Sequence, residues 1–546
     1  LSVAGAAAQA EGAKTSKPAA QDPDAGWSDA RSPAGKHNPW LIVVVISLAT
    51  FMEVLDTAIA NVSLSHIAGS LAVSNDEATW VLTSYLVANA IVVPISGWLG
   101  DVMGRKRFYM MSVAIFTVSS LACGFAPSLA FLVVSRIMQG IGGGGLASSE
   151  QSFLADTFPP SKRGMAFAAY GVVVVVGPTI GPTLGGWITD NISWHWIFLI
   201  NVPVGIISLL LVQSLVVEPE ALERERRKRL KKGLRVDGIG FSLVIIGLGC
   251  LEVFMDRGQR DDWFSSNFIV TMGIIAAAAL ILLVVWELNR KDPIVDLKLF
   301  RHLNFAICFT MMLLVGVVMF GSTQLIPQLL QEVLGYTATD AGLALTLGGA
   351  AALVAMGVAG VLSGKVQGRF LLAFGFTMQG LGMWIFSHYN TDTDFGQFAM
   401  GRLVQAAGIP FMFVPILTQS YAGLKPAEFN HASALMNVAR NLGGSIGISA
   451  SQAMLAQREQ WHQARLVEGL NPLNPVYTQG LQQIGQAVGG VSGGGDATLT
   501  QQGALYQATA TQAAMLSYID VFHALMIFMF CAVGMAFLLK PMKGGH

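Results

Sequence analysis

Glu53 and Asp56 stand three residues apart in FMEVLDTAIAN (51–61), inside an apolar run that begins at Trp40. At that spacing on a helix the two carboxylates share a face. A charged Asp near the bilayer centre costs roughly 2.5–3.5 kcal/mol on insertion scales. Burial favours the neutral form of an acid, whereas an apposed cation favours the carboxylate. Arg136, in RIMQGIG (136–142), is the candidate cation. An acid held between burial and a removable arginine can take up and release protons as its surroundings change; a static ion pair would use the same residues. Glu150, in SSEQSFLADTF (148–158), is a third acid within an apolar stretch. It could carry a proton, meet a cationic substrate or bond its neighbours.

The elements that position these groups must lie in lipid. Of 546 residues, 53% are hydrophobic and 12% charged, too few charges to clothe several soluble domains. Apolar stretches near twenty residues recur along the chain, the length a spanning helix needs. We place fourteen spans at 40–62, 78–100, 108–126, 129–157, 164–189, 196–217, 237–256, 267–288, 303–331, 338–362, 370–388, 397–422, 431–456 and 517–540. Lysines and arginines gather in alternate segments: the N-terminal tail, 105–107, 162–163, 224–235 and 290–301. The opposite side holds Arg257, Arg260, Arg458 and Arg465. The positive-inside rule therefore predicts two cytosolic termini. Residues 1–37, rich in Ala, Gly, Ser, Pro and Lys, read as a disordered cytosolic tail. Zero net charge gives no case for a nucleic-acid partner. Cys123, Cys250, Cys308 and Cys531 have no paired spacing and read as small apolar residues, not a metal site.

Three arginines fall within spans: Arg136, Arg402 and Arg440. RLVQAAG (402–408) matches RIMQGIG at an offset of 266 residues, placing Arg402 and Gln405 on Arg136 and Gln139. The same offset carries Gly177 to Gly443 and Gly181 to Gly447. Spans 1–6 and 9–14 thus read as parallel repeats. This divides the chain into a bundle at 38–217, a linker with two inserted spans at 218–302, and a second bundle at 303–546 that includes a long extracytosolic loop, 457–516.

SGWLGDVMGRKR (96–107) joins spans 2 and 3 so tightly that Gly97, Gly100 and Gly104 must allow close approach and turning. Asp101 can bond Arg105 or Arg107, or cap the next helix. The string resembles the signature loop of the major facilitator superfamily, although Val102 stands where that family often has a basic residue. The equivalent loop of the second half, SGKVQGR (363–369), has no carboxylate. The resemblance implies an all-α polytopic membrane protein of major facilitator fold, two six-helix bundles plus two inserted helices. It also implies that Asp101 and its arginines latch the halves together on the cytosolic side in one state.

GVVVVVGPTIGPTLGGW (171–187) spaces Gly177, Gly181 and Gly185 by four along one face, with Gly186 beside them and Pro178 and Pro182 removing backbone donors. Small-residue packing would use this pattern too. It is similar to the fifth-helix antiporter motif of drug:proton exporters. SWHWIFLINVPVG (193–205) and DRGQRDDWF (256–264) resemble strings of the fourteen-span EmrB/QacA branch, and LDTAIANVSL (55–64) its first-span motif, in which the Asp is tied to coupling. The resemblance implies export of hydrophobic or amphiphilic compounds driven by protons, with no other cofactor. EmrB-like exporters work with a periplasmic adaptor of the EmrA-like membrane-fusion type and a TolC-like outer-membrane channel. The loop 457–516 is the expected docking place, and a bacterial inner membrane the expected location.

A potential of 100 mV gives about 2.3 kcal/mol per charge, so one proton exchanged for a neutral solute sustains roughly a forty-fold gradient. GIGGGG (140–145) matches a dinucleotide glycine pattern but follows no strand, and GGSIG (443–447) matches a nucleophile elbow outside its strand–turn–helix setting. The run ERERRKRLKK (223–232) reads as an anchor to anionic lipid headgroups. An exporter of one defined metabolite, lipid or siderophore is the alternative of the same class. A membrane-embedded lipid enzyme would need a cluster of catalytic groups, which the sequence does not offer.

Overall fold

A computed structural model of the chain describes residues 32–231, 237–290, 293–470, 477–482 and 497–539. Among them regular structure is helical, without a strand. The first half comprises α1 (Pro39–Val62), α2 (Leu64–Leu71), α3 (Asn75–Ala78), α4 (Trp80–Met103), α5 (Arg105–Gly124), α6 (Leu129–Gly143), α7 (Leu146–Thr157), α8 (Pro160–Asn191), α9 (Trp196–Leu199) and α10 (Asn201–Leu215). After the linker helix α11 (Glu220–Lys231) come the inserted pair, α12 (Gly238–Gly258) and α13 (Asn267–Leu288). The second half holds α14 (Leu303–Gln328), α15 (Ala338–Ser363), α16 (Gly368–Phe386), α17 (Phe395–Ser420), α18 (Phe429–Glu468) and α19 (Ala497–Ala536).

Thirteen stretches among the described residues are long and apolar enough to cross a membrane. The expected thirteenth span, 431–456, is absent from that set although it forms part of α18. The reason is chemical. Buried His431, Asn437 and Arg440 lower its hydropathy, and they are tolerated because α18 packs on α4, α14 and α19. A helix covered by protein need not be apolar all round.

The repeat seen in the sequence is repeated in the packing. α8 lies against α1, and α18 lies against α14. Side chains at Gly177, Gly181 and Gly185 would collide with Val54, Ala58 and Ile59 of α1. Gly443 and Gly447 likewise admit the backbone of α14 at Leu313 and Val317. Pro178 and Pro182 sit inside α8, which runs unbroken for 32 residues. The halves meet along α4 with α18 and α8 with α15, while α12 packs on both α4 and α18.

Two boundaries differ from the sequence reading. Residues 32–37, placed in the tail, form turns against the end of the first half, where the Val217 N–H donates to the Pro33 carbonyl at 2.9 Å. Ala34 is buried there, which gives this stretch an apolar anchor that composition averages away. Residues 1–31 lie outside the described residues. The long loop is in large part helix: α18 runs on to Glu468 and α19 already begins at Ala497, each 40 residues long. At 1.5 Å per residue such helices reach about 60 Å, twice the hydrocarbon thickness. They stay joined along their outer parts, His462 to Asp520 at 2.9 Å and Gln463 to Tyr506 at 3.2 Å. Residues 471–476 and 483–496 of that loop lie outside the described residues.

Candidate functional site

Asp56 faces the interior of the first bundle and is 1% exposed; Arg136 is fully buried beside it. Arg136 Nη1 donates to Asp56 Oδ2 at 2.5 Å, and Asp56 Oδ1 accepts from Gln139 Nε2 at 2.9 Å and Asn201 Nδ2 at 2.7 Å. Arg136 also donates through Nε to the Val81 carbonyl at 3.0 Å and through Nη1 to Gln139 Oε1 at 2.7 Å. Its guanidinium lies over the Tyr85 ring, 4.3 Å from the centroid. Ser120 accepts from both Gln139 and Asn201. Residues on α1, α4, α5, α6 and α10 thus close around one ion pair. Such density of donors is what a buried pair needs if attraction is to offset desolvation.

Glu53 is held differently. Asn89 Nδ2 donates to its Oε1 at 3.1 Å, while Oε2 is buried without a hydrogen-bond partner among the described residues. Asn89 in turn accepts from Asn441 of α18 at 3.4 Å, so Glu53 lies one amide away from the seam between the halves. Arg440 of α18 donates to the Tyr170 hydroxyl of α8 at 3.2 Å, across the same seam. Glu150, fully buried on α7, accepts from the Ser47 hydroxyl of α1. The three acids therefore occupy neighbouring sites in one bundle, each with different donors.

At the end expected to be cytosolic, Asp101 reaches across the seam: it accepts from Asn430 Nδ2 and lies 3.3 Å from His431 Nε2. Arg105 pairs with Asp156 at the end of α7, and donates to the Pro426 carbonyl at 3.1 Å. Asp156, Asn430 and His431 were not picked out by sequence reasoning, since none belongs to the loop whose spacing drew attention. Gly97 lets the backbone at Asn430 and His431 approach. Gly104 turns at φ +92°, where an added side chain would meet Glu218 and Arg226. Arg226 of α11 caps α4 by donating to the Met103 carbonyl at 3.0 Å. Arg107 is exposed. Burial pushes the Glu218 carboxyl up, against the opposing pull of Arg226 and Arg107.

In the second half Arg402 donates to Gln405, whose Nε2 donates to Ser322 at 2.8 Å. Arg402 borders a cavity of about 60 Å³ between the halves, walled by α8, α14, α15 and α17. Of the Phe and Met side chains a greasy pocket suggests, only Met319 and Phe320 line it.

The family model described as Major Facilitator Superfamily matches residues 46–448. "Multidrug export protein EmrB" of Escherichia coli (strain K12) is 40% identical over 474 residues, which span 86% of this chain and 91% of that protein. The protein of the same name from Haemophilus influenzae is 39% identical, over 82% of this chain and 86% of its own. Among solved structures, the proton:xylose symporter XylE superposes with a TM-score of 0.55 at 14% identity, covering 93% of this chain and 97% of XylE. That likeness concerns the fold, and it agrees with the two bundles and their seam. With paired six-helix halves, a matching family model and relatives of this identity, the chain belongs to the major facilitator superfamily of multi-pass membrane transporters.

Proposed function

We propose that this chain is a proton-driven exporter of hydrophobic and amphiphilic compounds, working from a bacterial inner membrane with both termini in the cytosol. The observation that carries the reading is the Asp56–Arg136 pair, buried in the first bundle with every oxygen of Asp56 engaged. A pair so enclosed is expensive unless it is used. The multidrug export for which the EmrB relatives are named supports the substrate class. Protons enter by way of Glu53 and Glu150, two further acids of the same bundle. As the seam at Asn89 and Asn441 parts, Glu53 changes its donors, and the Asp56–Arg136 pair responds through α1, which carries both Glu53 and Asp56.

The projecting ends of α18 and α19 are the proposed docking place of a periplasmic adaptor of the membrane-fusion type, and through it of an outer-membrane channel. Exposed Trp461, Val467 and Tyr506 on those projections support this reading, because large exposed side chains on such extensions are what a protein partner would cover.

The test is reconstitution in liposomes loaded with a pH-sensitive dye, comparing the native chain with Asp56→Asn. Substrate-dependent proton release is expected from the native chain, and release no greater than from empty liposomes from the variant. Substrate-dependent release that survives the substitution would remove Asp56 from coupling.

A further inference from the structure

The offset of 266 residues that carries Arg136 to Arg402 and Gln139 to Gln405 also carries Asp56 to Ser322. The hydrogen bonds follow the same mapping: Gln139 donates to Asp56, and Gln405 to Ser322. Each arginine donates through Nη1 to the glutamine three residues on. The halves therefore share one frame but differ in charge. The first holds a carboxylate against its arginine, and the second holds only a hydroxyl.

Arg402 is 7% exposed, and no carboxylate lies within ion-pair distance of it among the described residues. Its Nε is buried without a partner, where Arg136 has the Val81 carbonyl. The stem lies over Gly348 of α15, at a point where any added side chain would collide with it. A guanidinium does not shed its proton. The result is a fixed positive charge at the edge of the inter-half cavity, whose other walls include Val174 and Pro178 of α8, Phe320 of α14 and Ile409 of α17. A volume of about 60 Å³ admits a small polar group such as a headgroup, and not a drug-sized body.

We infer that Arg402 and the cavity it borders form a binding subsite for the acidic headgroup of an amphiphilic anion, a carboxylate, sulfonate or phenolate, with a hydroxyl at Ser322 where the first half keeps a resident carboxylate. The apolar body lies along Val174, Pro178, Phe320 and Ile409 as the halves part. This assignment rests on the export reading and narrows it: the second half selects for negative charge, while the acids of the first half serve the proton.

The test uses the full chain in phosphatidylcholine nanodiscs and two fluorophores of the same body, anionic 8-anilino-1-naphthalenesulfonate and uncharged N-phenyl-1-naphthylamine, with protein-free discs subtracted. The native chain is expected to bind the sulfonate more tightly than the uncharged amine. Arg402→Gln and Ser322→Asp should each weaken the sulfonate by about tenfold or more, leaving the amine within about twofold, and Arg402→Lys should recover part of the loss. Ser322→Asp supplies the resident carboxylate, so it reads the same site even if Arg402→Gln does not fold. Sulfonate affinity unchanged in both variants, with amine binding retained, would overturn the subsite. Discs containing phosphatidylglycerol distinguish the source of the anion. Sulfonate binding by the native chain that falls there to the level of Arg402→Gln in phosphatidylcholine discs, with no further fall in the variant, would assign the site to a lipid headgroup and overturn a transported anion. Failure of native proteoliposomes to expel the amine under an imposed proton gradient would instead overturn the export reading itself.

Discussion

Two acids one helical turn apart live in different chemistry. Asp56 is matched by an arginine and two amides, so removing Arg136 strands a carboxylate in the bundle. Arg136→Gln should destabilise the protein by about 3–5 kcal/mol, and adding Asp56→Asn should restore most of that, because neutral partners of similar shape need no counter-charge. Thermal unfolding in detergent reads both, with coupling lost in the double variant. Single and double variants of equal stability would show that the pair does not interact as the geometry says. Glu53 has one donor and a free oxygen, so Glu53→Gln is expected to lower the melting temperature less than Arg136→Gln while impairing proton release as severely.

At the scale of elements, small residues and caps decide which helices touch. Gly97 is where α4 meets the start of α18, and a side chain there must displace the backbone at Asn430. Overpacking of this kind costs about 1–3 kcal/mol, enough to shift a two-state equilibrium roughly ten- to hundredfold. Gly97→Val should therefore open the Asp101 end. In a cysteine-free background, a cysteine at Ser433, now buried against Ser152, should label faster with an impermeant thiol reagent. The inserted pair has its own fastening at Asp237, which accepts from Gly240 N–H, Trp286 and Arg290. Burial raises its carboxyl, but those donors outweigh it and hold it below the usual carboxylate range. Its contribution is thus complete above that range and lost as pH falls below it, through the lowered value of the folded state. Asp237→Ala, which loses a cap of about 1 kcal/mol, should lower the melting temperature at neutral pH and progressively less on acidification.

For the whole molecule, the two bundles are joined mainly at seams, and the contacts across the Asp101 end include polar ones: Asp101 with Asn430 and His431, and Arg105 with the Pro426 carbonyl. Elsewhere the seam is apolar: Ala168 of α8 clusters with Met356 and Ala359 of α15, and Tyr170 stacks on Phe413 of α17, so parting the halves there costs buried apolar surface as well as hydrogen bonds. The projections of α18 and α19 belong to the second half. Replacing Trp461 and Tyr506 by Ser should abolish co-purification of the proposed adaptor in two-membrane cells while leaving export in proteoliposomes intact. Equal loss of both would mean that the projections serve the transport cycle itself.

Hydrophobic spacing alone determined that this chain crosses a membrane many times, because lipid allows few other ways to bury backbone polar groups. The offset shared by Arg136, Arg402 and the glycines likewise made the repeat legible, since each half solves the same packing problem with the same small residues. What the sequence left open was which groups meet across long separations. Asp101 and His431, or Arg105 and Asp156, share no spacing rule. The polar α18 is the span that composition supports least, because its polar face is hidden by α4 and α14 and not by its own composition. The unmatched charge of Arg402 is of the same kind: a serine 80 residues earlier means nothing until the fold sets it where the other half keeps an aspartate.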